Sequence, residues 1–312
     1  MESTQENILA PLNLSDNQKH IIRQLLYYSI FNYPLETSEL DSYSTNNKLE
    51  TELATLEEKQ LIGRKENLFG IAITADQIQR RKTGVEAAKA VYPKAAQNAR
   101  KIFNFPFVKG VYVSGSLSKG FLSEDGDIDY FIITKPGKLW LSRTLLILYK
   151  KLFLLNSRKY FCVNYFVDAN HLEITEKNIF TATELATLIP YESDGVNDSL
   201  ISDNKWVESF YRNKKIKFLG NTEKHETGFK KLAEFLLNNW FGNQLDTFCM
   251  WLTMKVWERK FGNFKPDDFD LAMKSRRYVS KHHPQNFQKK VLDAFAEKVS
   301  AFETKHNVDL SL

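Results

Sequence analysis

The stretch VYVSGSLSKGFLSEDGDIDYFIIT, residues 111–134, decides the reading of this chain. An apolar run ends in Ser114-Gly115-Ser116. After ten intervening residues come Asp127-Ile128-Asp129, which open a second apolar run. Alternation along a strand puts Asp127 and Asp129 on one face and turns Ile128 and Tyr130 to the other, into a core. Two neighbouring carboxylates repel each other unless a cation lies between them. Mg²⁺ suits such a pair, because it takes a few carboxylate oxygens together with substrate phosphates. In two-ion phosphoryl chemistry the ions sit roughly 3.5–4 Å apart, so up to two can be held. The Gly-Ser turn supplies the complement. Gly115 lets backbone approach a phosphate, and the amide and hydroxyl of Ser116 can donate to it. Lys119 can add positive charge.

Other glycine motifs fail. Gly115 and Gly120 have P-loop spacing, but Phe121-Leu122 stand where Lys-Ser/Thr is required. No G-x-G-x-x-G is present, and no G-x-S-x-G surrounds Ser116 or Ser118.

Gly-Ser, ten residues and then Asp-x-Asp at strand ends resembles the DNA polymerase β-like nucleotidyltransferase superfamily. PLETSEL, VSGSLSKG, DGDIDYFIITKPGKLWLSR, CVNYF and FTATELATLIP are similar to uncharacterised bacterial nucleotidyltransferase-domain proteins with an N-terminal winged helix. The resemblance implies a Mg²⁺-dependent enzyme that moves a nucleoside monophosphate from an NTP (ATP among the candidates) and releases pyrophosphate. Gly115 and Ser116 would hold the triphosphate, with Lys119 beside them, and Asp127 and Asp129 would ligate the metal. The acceptor, whether protein, RNA or small molecule, stays open. The superfamily carries a third carboxylate on a following strand. Here Asn164 of Cys162-Val163-Asn164-Tyr165-Phe166 stands at that position. Asp168 and Glu173 are the candidate replacements. Asn164 also motivates a second reading, a degenerate nucleotide-binding regulator without turnover.

The fold class expected is an α/β core, residues 81–192, between a winged helix at 1–80 and a helical C-terminal domain at 193–312. In the first segment Ser15 and Gln18 form a capping box ahead of Ile22, Leu25 and Leu26. Pro34 ends that helix near Asn32. Leu49, Leu53 and Leu56 mark one face of a third helix, about Asn46 to Lys59. Two short apolar runs around Glu66-Asn67 make the wing. A helix over Thr83 to Phe103 leads into strands at Val108–Val113, Asp127–Thr134 and Tyr160–Asp168. A long helix over Lys138 to Leu154 carries Leu141, Leu145, Leu148 and Leu152 on one face. Residues 181–189 read as helix and 191–204 as a loop. Helices are expected at Phe229–Phe241, Leu245–Phe261 and Pro284–Lys305.

Charge narrows the partners. The chain has 312 residues and a formal net charge of +5. Residues 1–80 carry seven Lys/Arg and twelve Asp/Glu, so the remainder carries +10. The third helix has Lys48 and Lys59 against Glu50, Glu52, Glu57 and Glu58. DNA affinity begins with phosphate neutralisation, so this acidic helix argues against DNA as partner. Arg64 and Lys65 of the wing do not reverse that balance. A winged-helix nucleic-acid-binding regulator is thus the third reading. The basic runs Arg212–Lys217 and Lys274–Lys281 read first as solvated faces, with lining of the acceptor side of the cleft for an RNA or other anion as the second reading. Lys138 and Arg143 read first as helix-surface charges, with a contact to the nucleotide as the second. Trp140 reads as core, His282 and His283 as a surface or capping pair. Two cysteines, Cys162 and Cys249, exclude a disulfide framework and read as buried thiols. Leu139–Leu155 is broken by charge and cannot span a bilayer. The N-terminus is polar and acidic, so a soluble cytoplasmic protein is expected, with no membrane contact.

Overall fold

A computed structural model describes residues 12–40, 48–157, 159–211, 226–261, 273–282 and 286–312. The end of the short helix that the sequence suggests around Ser38 to Ser42, and Asn46, the basic run 212–217, His283 and Pro284, lie outside them. The chain divides into two compact units. One takes the described residues of 1–81, 208–214 and 290–312, the other those of 82–207 and 215–289. The stretch 193–312 is therefore shared between both.

The first unit opens with α1 (Asp16–Ser29). Ser15 and Gln18 cap it reciprocally: the Gln18 amide donates to Ser15 Oγ at 3.2 Å, and the Ser15 amide to Gln18 Oε1 at 3.1 Å. Ile22, Leu25 and Leu26 are buried, and Asn32 takes a positive φ after the helix. Then come β1 (Leu35–Glu36), α2 (Thr37–Leu40), α3 (Leu49–Glu58), β2 (Gly63–Lys65) and β3 (Leu68–Gly70). The three strands pair antiparallel in the order β1-β3-β2. Leu49, Leu53 and Leu56 are buried, as their spacing requires. Each contributes about 2 kcal/mol of transfer free energy.

α4 covers Ala75–Phe103, two turns earlier than the sequence suggests. Its start is a second capping box: the Gln77 amide donates to Thr74 Oγ1 at 3.2 Å and the Thr74 amide to Gln77 Oε1 at 3.0 Å.

The second unit holds a six-stranded sheet in the order β7-β4-β5-β6-β9-β8. Its strands are β4 (Val108–Ser114), β5 (Asp129–Thr134), β6 (Cys162–Asp168), β7 (Ile189–Ser193), β8 (Ser275–Arg276) and β9 (Val279–Lys281). β5 and β6 are parallel; the other neighbours are antiparallel. The helices are α5 (Gly115–Ser118), α6 (Leu139–Phe153), α7 (Ile179–Ala186), α8 (Asn197–Asp203), α9 (Gly228–Leu237) and α10 (Trp240–Phe261). α11 (Phe287–His306) follows in the chain and belongs from Lys290 on to the first unit.

Four expectations change. Residues 191–204 hold the end of β7 and all of α8 rather than a loop, because β7 gains its ladder from β4. β8 and β9 extend the core sheet from a segment read as helical surroundings. On α6 the buried residues are Leu139, Trp140, Leu141, Ser142, Arg143, Leu146 and Lys150, so Leu141 of the expected stripe is buried while Leu148 and Leu152 are exposed. The first half of the leucine stripe, Leu141 and Leu145, packs on the core, and its second half gives way to a face turned toward the sheet and α10. Lys138 is buried rather than solvated and donates to the Leu237 carbonyl at 2.7 Å, closing the end of α9. Trp140 lies in the core, its Nε1 donating to the Arg276 carbonyl at 3.0 Å. Among the described residues, no helix is long and apolar enough to cross a membrane.

Candidate active site

Register brings the two halves of the motif together. β4 ends at Ser114, which lies opposite Asp129 at the start of β5, and Asp129 lies opposite Cys162 at the start of β6. Asp127 sits just before β5. Ile128 and Tyr130 are fully buried, so the alternation turns both aspartates away from the core. Ligand atoms of Asp127, Asp129 and Cys162 all lie within 4.8 Å of one another.

Gly115 carries the turn after β4 at φ +69°. A Cβ there would meet Asp129 Oδ2 at 2.5 Å. Any side chain is thus excluded twice, by backbone conformation and by the carboxylate behind it. Ser116 follows, exposed, in the short α5.

The turn is braced by a carboxylate that the motif does not contain. The Gly115 amide donates to Glu184 Oε2 at 3.1 Å. Lys119 Nζ donates to Glu184 Oε1 and to the Gly115 carbonyl, each at 2.8 Å. Ser118 Oγ donates to the same carbonyl at 2.9 Å. Lys119 is therefore held by protein oxygens. Glu184 had a sequence signal: it is the one charged residue in Ile-Phe-Thr-Ala-Thr-Glu-Leu-Ala of α7.

Asn164 Nδ2 donates to Asp129 Oδ1 at 3.0 Å, so the asparagine does stand against the carboxylate pair. The proposed replacements do not. Asp168 ends β6 opposite Thr134, six residues beyond Cys162 and roughly 20 Å along the strand. It receives His171 Nδ1 at 2.7 Å and the Asn170 amide at 3.0 Å. Glu173 pairs with Lys177 at 2.7 Å on the surface. Neither lines the cavity at the carboxylates: Asp168 lies at the far end of β6, and Glu173 is turned to the surface while its neighbour Ile174 lines the cavity.

Withdrawal from water pushes the Asp129 carboxyl up to about 7, and the Asp127 charge adds to the shift. Hydrogen bonds from Cys162 and Asn164 oppose it. Burial and the same two aspartates push the Cys162 thiol well above its ordinary range. It is a neutral S–H donor here, and both cysteines are buried and free. A hard cation fits this donor set through the two carboxylates, with Cys162 beside it; a soft metal would need the thiolate.

These groups open on a cavity of about 650 Å³. Asp127, Asp129 and Glu184 line it from the β4–β5 end and α7. Arg143, Lys150 and Lys151 of α6, Lys260 of α10 and Lys281 of β9 line it as well. Three expectations are corrected here. Arg143 and Lys281 are buried, not solvated. His282 also lines the cavity and stacks on Trp257 at 5.0 Å. Lys281 and His282 reach the cavity because β9 joins the sheet beside β6, which their neighbours in sequence do not announce.

Residues 96–188 match the model of a family described as the nucleotidyltransferase domain. The match runs from the second half of α4 through α7 and contains the Gly-Ser turn, Asp127, Asp129 and Glu184. This similarity supports a transferase that moves nucleoside monophosphates in general, with a nucleoside triphosphate as substrate. No curated protein and no solved structure matches the chain.

Proposed function

We propose that the chain is a Mg²⁺-dependent nucleotidyltransferase that moves a nucleoside monophosphate from an NTP to an acceptor and releases pyrophosphate. The observation that carries this reading is the convergence of Asp127 and Asp129 behind Gly115 within the matched domain. Asp127 and Asp129 hold the metal, and Ser116 with the Gly115 backbone receives the triphosphate. Lys119 and Glu184 brace that turn, and Lys119 reaches phosphate by exchanging its protein oxygens. Bound Mg²⁺ supplies neutralisation of phosphate charge and of the carboxylate pair. The acceptor oxygen bonds to the α-phosphorus as the bond to the leaving pyrophosphate breaks. Asn164 cannot take the acceptor's proton, so an acceptor that is already anionic suits this site.

The N-terminal unit supports a winged-helix reading through its order helix, strand, helix, helix, strand, strand. Its acidic α3 suits a protein contact better than DNA.

The test is pyrophosphate release from NTPs with candidate acceptors. Asp127→Ala with Asp129→Ala should reduce it by more than about 10³-fold, because several kcal/mol of charge stabilisation is lost. Release that survives the double variant overturns the proposal. A second reading, nucleotide binding without turnover, is favoured by the Asn164–Asp129 hydrogen bond. It requires NTP binding by calorimetry with no release for any acceptor.

A further inference from the structure

We infer that the basic side of the cavity, centred on Arg143, is a subsite for an oxyanion carried by the acceptor, a phosphate or a carboxylate. The inference rests on the transferase reading and names the acceptor's chemical class.

Arg143 is only 7% exposed, yet it lines the cavity. Among the described residues no carboxylate pairs with it, and its guanidinium donates no hydrogen bond to protein. Its contacts are aromatic: the guanidinium carbon lies 4.9 Å from the Trp257 ring centroid and 5.7 Å from that of Trp140. Burying an unpaired charge costs several kcal/mol. A desolvated cation–π contact returns about 2 kcal/mol. The balance is unfavourable, so stability alone does not explain a guanidinium here, where a neutral side chain would pack at less cost. Burial lowers its pKa to about 10, which leaves it charged at neutral pH.

The surroundings have the same sign. Lys150 lies seven residues on along α6, on the same face, and is buried. Lys281 is buried on β9, donating to Gln288 Oε1 at 2.6 Å. Glu176 is the carboxylate of this side, and Lys274 holds it at 3.0 Å. Glu176 faces both Lys281 and Lys274, which leaves Arg143 as the buried guanidinium of this side with no carboxylate against it among the described residues. The triphosphate end, by contrast, is built by Gly115, Asp127 and Asp129 from the β4–β5 end. A guanidinium offers a planar fork that matches two oxygens of a phosphate or carboxylate, and the aromatic rings against Arg143 keep that fork in place.

The full chain can be titrated by calorimetry with methyl phosphate and, separately, with acetate. Both titrations are run with and without saturating Mg²⁺ and a non-hydrolysable NTP analogue. Expected is binding of methyl phosphate or acetate that persists with the analogue bound; whichever binds tells a phosphoryl acceptor from a carboxylate one. Arg143→Gln and Arg143→Lys should weaken it by about 10-fold or more, the worth of one charge-assisted bidentate contact. They should leave analogue affinity within about twofold. No anion binding by the wild type, or unchanged binding by both variants, overturns the inference. So does displacement of the anion by the analogue, which would assign Arg143 to the triphosphate. This last measurement uses the wild type alone and decides even if a variant does not fold. Failure of the analogue itself to bind would instead count against the transferase reading, while the anion titration would still report on Arg143.

Discussion

Asn164 Nδ2 donates a hydrogen bond to Asp129 Oδ1 across 3.0 Å, at the position where the resemblance to nucleotidyltransferases led to the expectation of a third acid. The amide satisfies one lone pair of a carboxyl that already faces Asp127. It thereby lessens a repulsion that a third carboxylate would increase. Asn164→Asp should therefore tighten Mg²⁺ or Mn²⁺ binding by about 10-fold. In chelator the same variant should be less stable than the wild type. Calorimetry and thermal melts check both signs, and a variant with unchanged metal affinity would place residue 164 outside the metal's reach.

Asp129 makes stability depend on pH. Its folded pKa, about 7, lies above the ordinary 3.8. Between those values the folded state keeps a proton that the unfolded state has lost. Stability contributed at this position is thus intact below about pH 4 and lost as pH rises through 7. Asp129→Asn removes the charge, so in chelator it should raise Tm at pH 8 and leave it nearly unchanged at pH 4. Added Mg²⁺ should stabilise the wild type at pH 8 and not the variant. Equal gains at both pH values would contradict the assignment.

Gly115→Ala places a Cβ at φ +69°, 2.5 Å from Asp129 Oδ2. Backbone strain of this kind costs about 1–3 kcal/mol. Denaturant melts should show a loss in that range, together with weaker NTP binding as the turn shifts. A variant as stable as the wild type would mean that the turn relaxes freely.

Asp246 of α10 caps α6 from a distance: the Leu141 amide donates to Asp246 Oδ1 at 2.8 Å. Burial raises its pKa. Asp246→Ala should cost about 1–2 kcal/mol, as for other lost caps. Asp246→Asn keeps an oxygen for the amide and should cost less. The reverse order in urea melts would show that charge, not the cap, matters there.

Some of this was legible in the sequence because its cause is local. The capping box at Ser15 and Gln18 lies within one turn. The face of Leu49, Leu53 and Leu56 follows from helical period alone. Ile128 and Tyr130 alternate with Asp127 and Asp129, so a strand has to separate core from site. Gly115 before Ser116, ten residues from the aspartates, fixed the turn that approaches them.

The rest was decided by contacts between residues distant in the chain. β7, β8 and β9 are short: β7 takes its ladder from β4, β9 from β6, and β8 from β9. Which face of α6 is buried depends on what packs there, so Leu148 and Leu152 are left outside while Arg143 turns inward. Glu184 reaches Gly115 because α7 returns beside β4, whereas Asp168, closer in sequence to Cys162, is carried away along β6. Asp127, Asp129 and the Gly-Ser turn announce themselves through backbone periodicity, a property of neighbours. The brace at Glu184 and the cationic wall at Arg143 and Lys281 exist only once the sheet has formed, because only tertiary pairing brings their elements together.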